Sequence, residues 1–250
     1  RAARLLGKPC GRYLTLSLEA LSRREEEAFP RSVRVLAALI ETLLPPLDSA
    51  APVLIAGLGS RSITPDAVGP RSADHVIATR HLISRSPEFF ASWRPVSVLA
   101  PGVLGQTGVE TGEIVRGVLD HVRPRAVIAI DALAAGRLSR LVRTVQLSDT
   151  GIVPGSGVNN ARAALDRQTL GVPVVSIGVP TVADGGSLAH EIAQQLDGAQ
   201  CEALDDLSQP FIITTRDIDR EVADTARLIG YAVNMALQHI SVEEIDLYLS

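Results

Sequence analysis

Two aspartates 65 residues apart carry the residue type and setting for hydrolytic chemistry. Asp66 lies in VLIAGLGSRSITPDAVGP (53–70) and Asp131 in AVIAIDALA (126–134). Each follows an apolar run, 53–56 and 126–130, of the length of a buried parallel strand. Gly57 and Gly59 mark a tight turn off the first strand. Thr64-Pro65-Asp66 reads as a helix start, with Thr64 as N-cap, Pro65 at the first helical position and Asp66 in the first turn. Asp66 is thereby placed at the carboxyl end of a strand, where open α/β sheets bind ligands. Asp131 closes an apolar strand, although aspartate is usually solvated. The plain alternative is a loop acid at a sheet edge; the sharper reading pairs the two acids across neighbouring strand ends. Paired carboxylates do not both ionise easily, so one keeps a proton near neutral pH while the other stays charged. Such a pair can hold a water, deprotonate it against a peptide carbonyl and protonate the leaving amine, without metal or covalent intermediate. Asp131, on the more apolar strand, is the expected holder of the proton.

Other constellations are weaker. Gly155-Ser156-Gly157 has Pro154 where a nucleophile elbow needs glycine. The single lysine, Lys8, is poorly placed for a Ser–Lys dyad, and Cys10 and Cys201 are isolated, with no disulfide expected. Gly57-Leu58-Gly59 begins like a dinucleotide fingerprint, but Ser62 stands at its third glycine. His81 with the two aspartates would make a two-carboxylate, one-imidazole metal site. No second histidine has metal spacing, however, and a lone histidine near a helix end more often bonds a neighbouring carbonyl or carboxylate. Arg61 and Arg80 are either substrate-orienting cations or plain surface charge. The glycine- and asparagine-rich loop 151–160, with Gly155 and Ser156, is the expected rim of the cleft.

The elements that must position these residues follow from periodicity. Strands are expected at 11–18, 53–56, 97–100, 126–130, 141–147 and 172–179, the last ending at Pro180-Thr181. Helices are expected at 31–44, 66–81, 110–122, 161–170, 187–196 and 217–239, with a short one at 137–140. Ser22 to Glu25 resembles a capping box, Pro30 limiting any helix it starts, and 199–209 reads as a polar excursion. The order strand, loop, helix, strand from 97 to 131 is a βαβ unit.

The 250 residues, 46% hydrophobic and only 3% aromatic, suit one α/β domain whose core is filled by Ala, Val, Leu and Ile. A net charge of −4 argues against direct nucleic-acid binding, and no apolar run approaches membrane-span length. The chain does not begin with Met, so a processed or trimmed form is expected, with 1–10 as a residual extension.

Six ordered motifs add a resemblance. GLGSRSITPDAVGP (57–70), ATRHL (78–82), APGVLGQTGVETGEIV (100–115), AIDALA (129–134), DTGIVPGSGV (149–158) and GVPVVSIGVPTVADG (171–185) together resemble the germination protease family of spore-forming bacteria. The similarity runs from about residue 11 to about 239. It implies an atypical aspartic endopeptidase acting on small acid-soluble spore proteins, with a twisted, mostly parallel sheet similar to that of hydrogenase-maturation peptidases. The family's catalytic acids match Asp66 and Asp131. It further implies a zymogen, a homotetramer, a place in the spore core, and no cofactor or metal. Two positions depart from the family pattern: Ser60 stands where Asn is common, and Asn159 where Gly is usual.

Overall fold

The computed structural model describes residues 8–155, 162–186, 188 and 211–250. Among them, strands β1 (Tyr13–Ser17), β2 (Val53–Gly57), β3 (Val96–Leu99), β4 (Ala126–Ala134), β5 (Thr144–Ser148), β6 (Val174–Asp184) and β7 (Ile212–Ile213) form one sheet. Its order is β1-β5-β6-β4-β2-β3, with β7 beside β6. The centre is parallel: β2 pairs with β3 and with β4, and β4 with β6. β5 and β7 run antiparallel to β6, and β1 antiparallel to β5. The expected mostly parallel α/β sheet flanked by helices is what forms.

Helices cover both faces, because the central strands are apolar on both sides. On one face lie α1 (Ala28–Leu43), α2 (Val68–Asp74) and α5 (Ile218–Gln238), which pack against Val53, Ile55, Ile128, Ile130, Val175 and Ile177. On the other face, α4 (Thr111–Val122) sets Val115 and Leu119 against Leu54, Ala56, Val127 and Ala129, with Leu165 beside them. Each fully buried aliphatic side chain here contributes about 1.5–3 kcal/mol, so the sheet needs no aromatic filling. α3 (Arg80–Arg85) lies in the crossover from β2 to β3, and α6 (Val242–Leu249) follows α5.

Several boundaries differ from expectation, each for a physical reason. The stretch 66–81 is not one helix. It is a 3-10 turn, Thr64–Asp66, then α2, an irregular link, and α3. Asn234 of α5 enforces the break: its buried amide accepts from Ile77 N–H at 2.9 Å and donates to the His75 carbonyl at 2.8 Å. Thr64 is not an N-cap; its hydroxyl donates to Asp219 near the start of α5 at 2.8 Å. α1 begins at Ala28 and tolerates Pro30 because first-turn N–H groups have no helical partner. The Ser22 capping box does not form, since Ser22 ends a four-residue helix, Glu19–Ser22.

Strand β4 continues three residues beyond Asp131, which therefore lies inside the strand. β6 runs on through Pro180 to Asp184, and the register with β4 shifts between Leu133 and Ala134 to admit the proline. The expected helix 161–170 is only Arg167–Leu170, because Leu165 is bridged to Ile152 instead. β3 and β4 are parallel to β2, which lies between them, so the βαβ unit spans a strand. The expectations for 187–196, residue 188 apart, for 199–209 and for Cys201 lie outside the described residues.

One close approach sets the carboxyl edge of the sheet. A side chain on Gly69 would put its Cβ 2.2 Å from the Leu58 carbonyl oxygen and 2.5 Å from that of Ile130. One on Gly57 would lie 2.3 Å from the Gly69 carbonyl oxygen. The start of α2 thus rests on backbone at the end of β2 and at Ile130 within β4, and only glycine permits it. Gly69→Ala is expected to lower stability by about 1–3 kcal/mol or more, as overpacking against backbone that cannot yield. Urea denaturation would show this as a lower midpoint at an unchanged slope; a wild-type midpoint would contradict it.

Candidate active site

In an open α/β sheet the crevice opens where successive connections leave in opposite directions. Here β2 leads to β3 on one side, while β4 leads on toward β6 on the other, so the switch lies between β2 and β4. The segment leaving β2 carries Asp66, and β4 carries Asp131. Leu58 donates its N–H to the Ile130 carbonyl at 2.7 Å, fixing the level at which β2 departs, one residue before Asp131.

The loop then folds back. Gly59 has φ +109°, and a Cβ there would lie 2.1 Å from the Asp66 carbonyl oxygen. This curl brings the Ser60 N–H to Asp66 Oδ2 at 2.7 Å. Ser60 is itself buried, and its hydroxyl meets Ser62 Oγ at 2.9 Å. Gln106 spans to both, its Nε2 donating to Ser60 Oγ at 2.9 Å and to Ser62 Oγ at 3.2 Å. Asp66 is therefore aimed by a backbone donor whose loop is tied to the turn before α4.

Asp131 is only 5% exposed, while Asp66 is half-buried. Asp131 lies opposite Gly178 of β6, where a Cβ would meet the Leu133 side chain at 2.4 Å, so Leu133 fills the space that glycine leaves. Asp131 Oδ1 accepts from the Ala132 N–H at 2.9 Å. Burial, then the charge of Asp66, push the Asp131 carboxyl up to about 7, against which the Ala132 N–H acts only weakly. Burial also raises Asp66, opposed by the Ser60 N–H. The two acids are coupled, and Asp131 is the one that holds its proton longer. Each has one oxygen engaged by a backbone N–H; among the described residues Asp131 Oδ2 and Asp66 Oδ1 have no hydrogen-bond partner.

The other sequence-predicted residues are scattered. Arg61 lies in the Asp66 loop but grips Asp74 with both Nη atoms, at 2.5 and 2.7 Å. Both side chains are about half exposed, at 53% and 50%, so the pair adds less than about 1 kcal/mol and serves to pin the loop to α2. Arg80 and His81 are not brought to the aspartates. They follow Thr79, whose N–H donates to the Val96 carbonyl at the amino end of β3. Val96 is level with Val53, whereas Asp131 lies some five residues, roughly 16 Å, further along the strands. The two-carboxylate, one-imidazole site therefore does not assemble around His81. Among the described residues no three His, Cys, Asp or Glu side chains gather as a metal site. Gly155 sits in a turn at φ +72°. Its neighbour Pro154 accepts from Arg162 N–H at 2.9 Å, and Arg162 pairs with Glu110 at the head of α4 at 3.1 Å. That brings the turn to the carboxyl side of the sheet, while Ser156 lies outside the described residues. Sequence reasoning gave Ser60 and Gln106 no part in aiming the acids. Both lie within quoted motifs, but nothing in the pattern showed that Gln106 would reach Ser60.

Fold and site together define an α/β protein with a buried Asp131 and a half-buried Asp66 that act on each other at its topological switch point. The chain belongs to the germination protease family, whose model matches residues 1–196. It is 40% identical to germination protease of Caldanaerobacter subterraneus subsp. tengcongensis, over 95% of this chain and 82% of that protein. It is 34% identical to germination protease of Clostridium perfringens, over 99% and 85%. With germination protease of Bacillus subtilis the identity is 46%, over 76% and 52%. Among solved structures, the [NiFe] hydrogenase maturation protease HycI from Thermococcus kodakarensis aligns at a TM-score of 0.43 and 16% identity, over 78% of this chain and 99% of that one. The family is one of peptidases. No helix among the described residues is long and apolar enough to cross a membrane.

The elevated Asp131 carboxyl has a measurable consequence. A group held protonated by the fold stabilises the folded state fully below its ordinary value near 3.8, and that contribution is lost as pH rises toward about 7. Above pH 7 the loss is on the order of a few kcal/mol, at about 1.4 kcal/mol per pH unit. Asp131→Asn cannot ionise, so its stability relative to the parent is expected to rise between pH 4 and 8. Urea midpoints for the two chains that run parallel across that range would contradict the assignment.

Proposed function

We propose that the chain is an endopeptidase of spore germination that hydrolyses small acid-soluble spore proteins with Asp66 and Asp131 around one water. The observation that carries this reading is the coupling of a buried, proton-retaining Asp131 to a half-buried Asp66 at the switch-point crevice. Family membership supports the reaction class.

In this mechanism Asp66 is the charged member near neutral pH and Asp131 the neutral one. A water held between Asp66 Oδ1 and Asp131 Oδ2 attacks the scissile carbonyl carbon and gives its proton to Asp66. The C–N bond then breaks as Asp131 protonates the leaving nitrogen. Transfer of the proton from Asp66 to Asp131 restores the starting state. The Ser60 N–H keeps Asp66 aimed, and the Ala132 N–H does the same for Asp131. The assembly under this reading is a homotetramer in the spore core, with protein substrate and neither nucleic acid nor membrane as direct partner.

With a spore-protein substrate, Asp66→Asn and Asp131→Asn are each expected to lower kcat/KM by at least about a hundredfold, the scale of lost general acid–base catalysis. In the wild type the rate should fall as pH rises through about 7, because Asp131 must carry the proton it donates. A chelator should leave the rate unchanged. Cleavage that survives both substitutions, or that disappears with chelator and returns with added nickel or zinc, would overturn the reading.

A further inference from the structure

Strand β4 outlasts its neighbour, and the excess is an open backbone edge beside Asp131. Val127 donates its N–H to Pro173, just before β6, whereas Ile130 accepts from Leu58 on the β2 side. Odd-numbered residues of β4 therefore turn their backbone groups to β6 and even-numbered ones toward β2. Ala135 donates to Val182 at 2.7 Å, so the alternation holds past the register shift. The ladder with β2 ends at Gly57 opposite Ile130. Beyond it, Ala132 and Ala134 face a side where no strand runs. The Ala132 N–H is taken by Asp131 Oδ1, which occupies the place a continuing β2 carbonyl would fill. The Ala132 carbonyl and the Ala134 N–H have no hydrogen-bond partner among the described residues. Burial changes at the same point: 126–131 are buried, 132–134 half-buried.

We propose that this edge, the Ala132 carbonyl and the Ala134 N–H, binds the substrate backbone as an added strand in the slot that β2 vacates. This rests on the peptidase reading and names how the peptide is held. The chemistry fits an extended peptide: an acceptor and a donor two residues apart on one strand edge match the N–H and C=O of a single residue in a parallel partner. Placement fits too. The edge begins one residue after Asp131, whose carboxylate leans into the same slot, so a strand seated there carries its peptide bonds past the acid. It also gives a substrate access to an aspartate that is only 5% exposed.

The test separates seating from chemistry. In the Asp66→Asn chain saturated with a small acid-soluble spore protein, amide exchange at Ala134 is expected to slow at least tenfold, with Ala132 changed much less. In the wild type, peptides spanning a cleaved bond and N-methylated one position at a time should show one position away from that bond where kcat/KM falls at least tenfold through KM. Ala134→Pro should do the same while keeping the fall near pH 7. Saturation by calorimetry with unchanged Ala134 exchange, or an N-methyl series without such a position, overturns the proposal. Protection that instead rises with protein concentration in the absence of substrate assigns the edge to a second copy and also overturns it. Should Asp66→Asn cleave like the wild type, the carboxylate mechanism falls, and the N-methyl series in the wild type still decides the edge.

Discussion

The structure depends on backbone meeting backbone without side chains between. Gly57 and Gly69 face each other at the end of β2, and Gly69 also rests against the carbonyls of Leu58 and Ile130. Move α2 outward by the width of a methyl group and the loop 58–68 can no longer close over the strand ends. Asp66 would then stand away from Asp131, and the charge that adds to burial in keeping Asp131 protonated would act more weakly with distance. A contact worth little as attraction thus sets the part of the electrostatics that depends on separation, while burial supplies the larger part.

The carboxylate pair is set against the fold that holds it. Burying an ionisable group disfavours its charged form, and a second carboxylate nearby disfavours it further. The chain keeps the penalty small by leaving Asp131 neutral over most of the acidic range, and by satisfying one oxygen of each acid with a backbone N–H. Those donors belong to Ser60 and Ala132, whose positions follow from the main-chain path and survive side-chain rotation. The strength of the site therefore lies in the strand ends and the curl at Gly59. Half-exposed ion pairs such as Arg61–Asp74 act differently, adding under about 1 kcal/mol and restricting where a loop can go.

Sequence pattern revealed what periodicity controls. The apolar runs at 53–56 and 126–130 became β2 and β4, and the 3.6-residue stripe of 217–239 became α5 almost residue for residue. It missed what long-range contacts control. Asn234, a buried polar residue of α5, ends the segment after α2, and nothing at 66–81 announces that partner. Pro180 looked like a stop because proline lacks a donor, but a shift of register let β6 pass through it. The placing of Arg80 and His81 rests on one backbone contact, because His81 comes 15 residues before Val96 and chain order alone does not fix its level. In a parallel crossover, residues just after a strand lie at its carboxyl end, and residues just before the next strand lie at the amino end. Asp66 is of the first kind; Thr79, Arg80 and His81 stand mid-crossover and are held at the amino end by the Thr79–Val96 bond.

The same topology explains why Gly57-Leu58-Gly59 is not a nucleotide loop. In a dinucleotide fold the glycines lead at once into a helix whose free N–H groups face a pyrophosphate. Here a long loop and a 3-10 turn intervene before α2, and the first N–H after the glycines, that of Ser60, is already bonded to Asp66 Oδ2. An internal carboxylate occupies the position an external phosphate would need, and its charge would repel one. A strand-end glycine loop collects negative charge in both designs. Whether that charge arrives with a ligand or is built into the chain decides whether such a loop can take a nucleotide's phosphates.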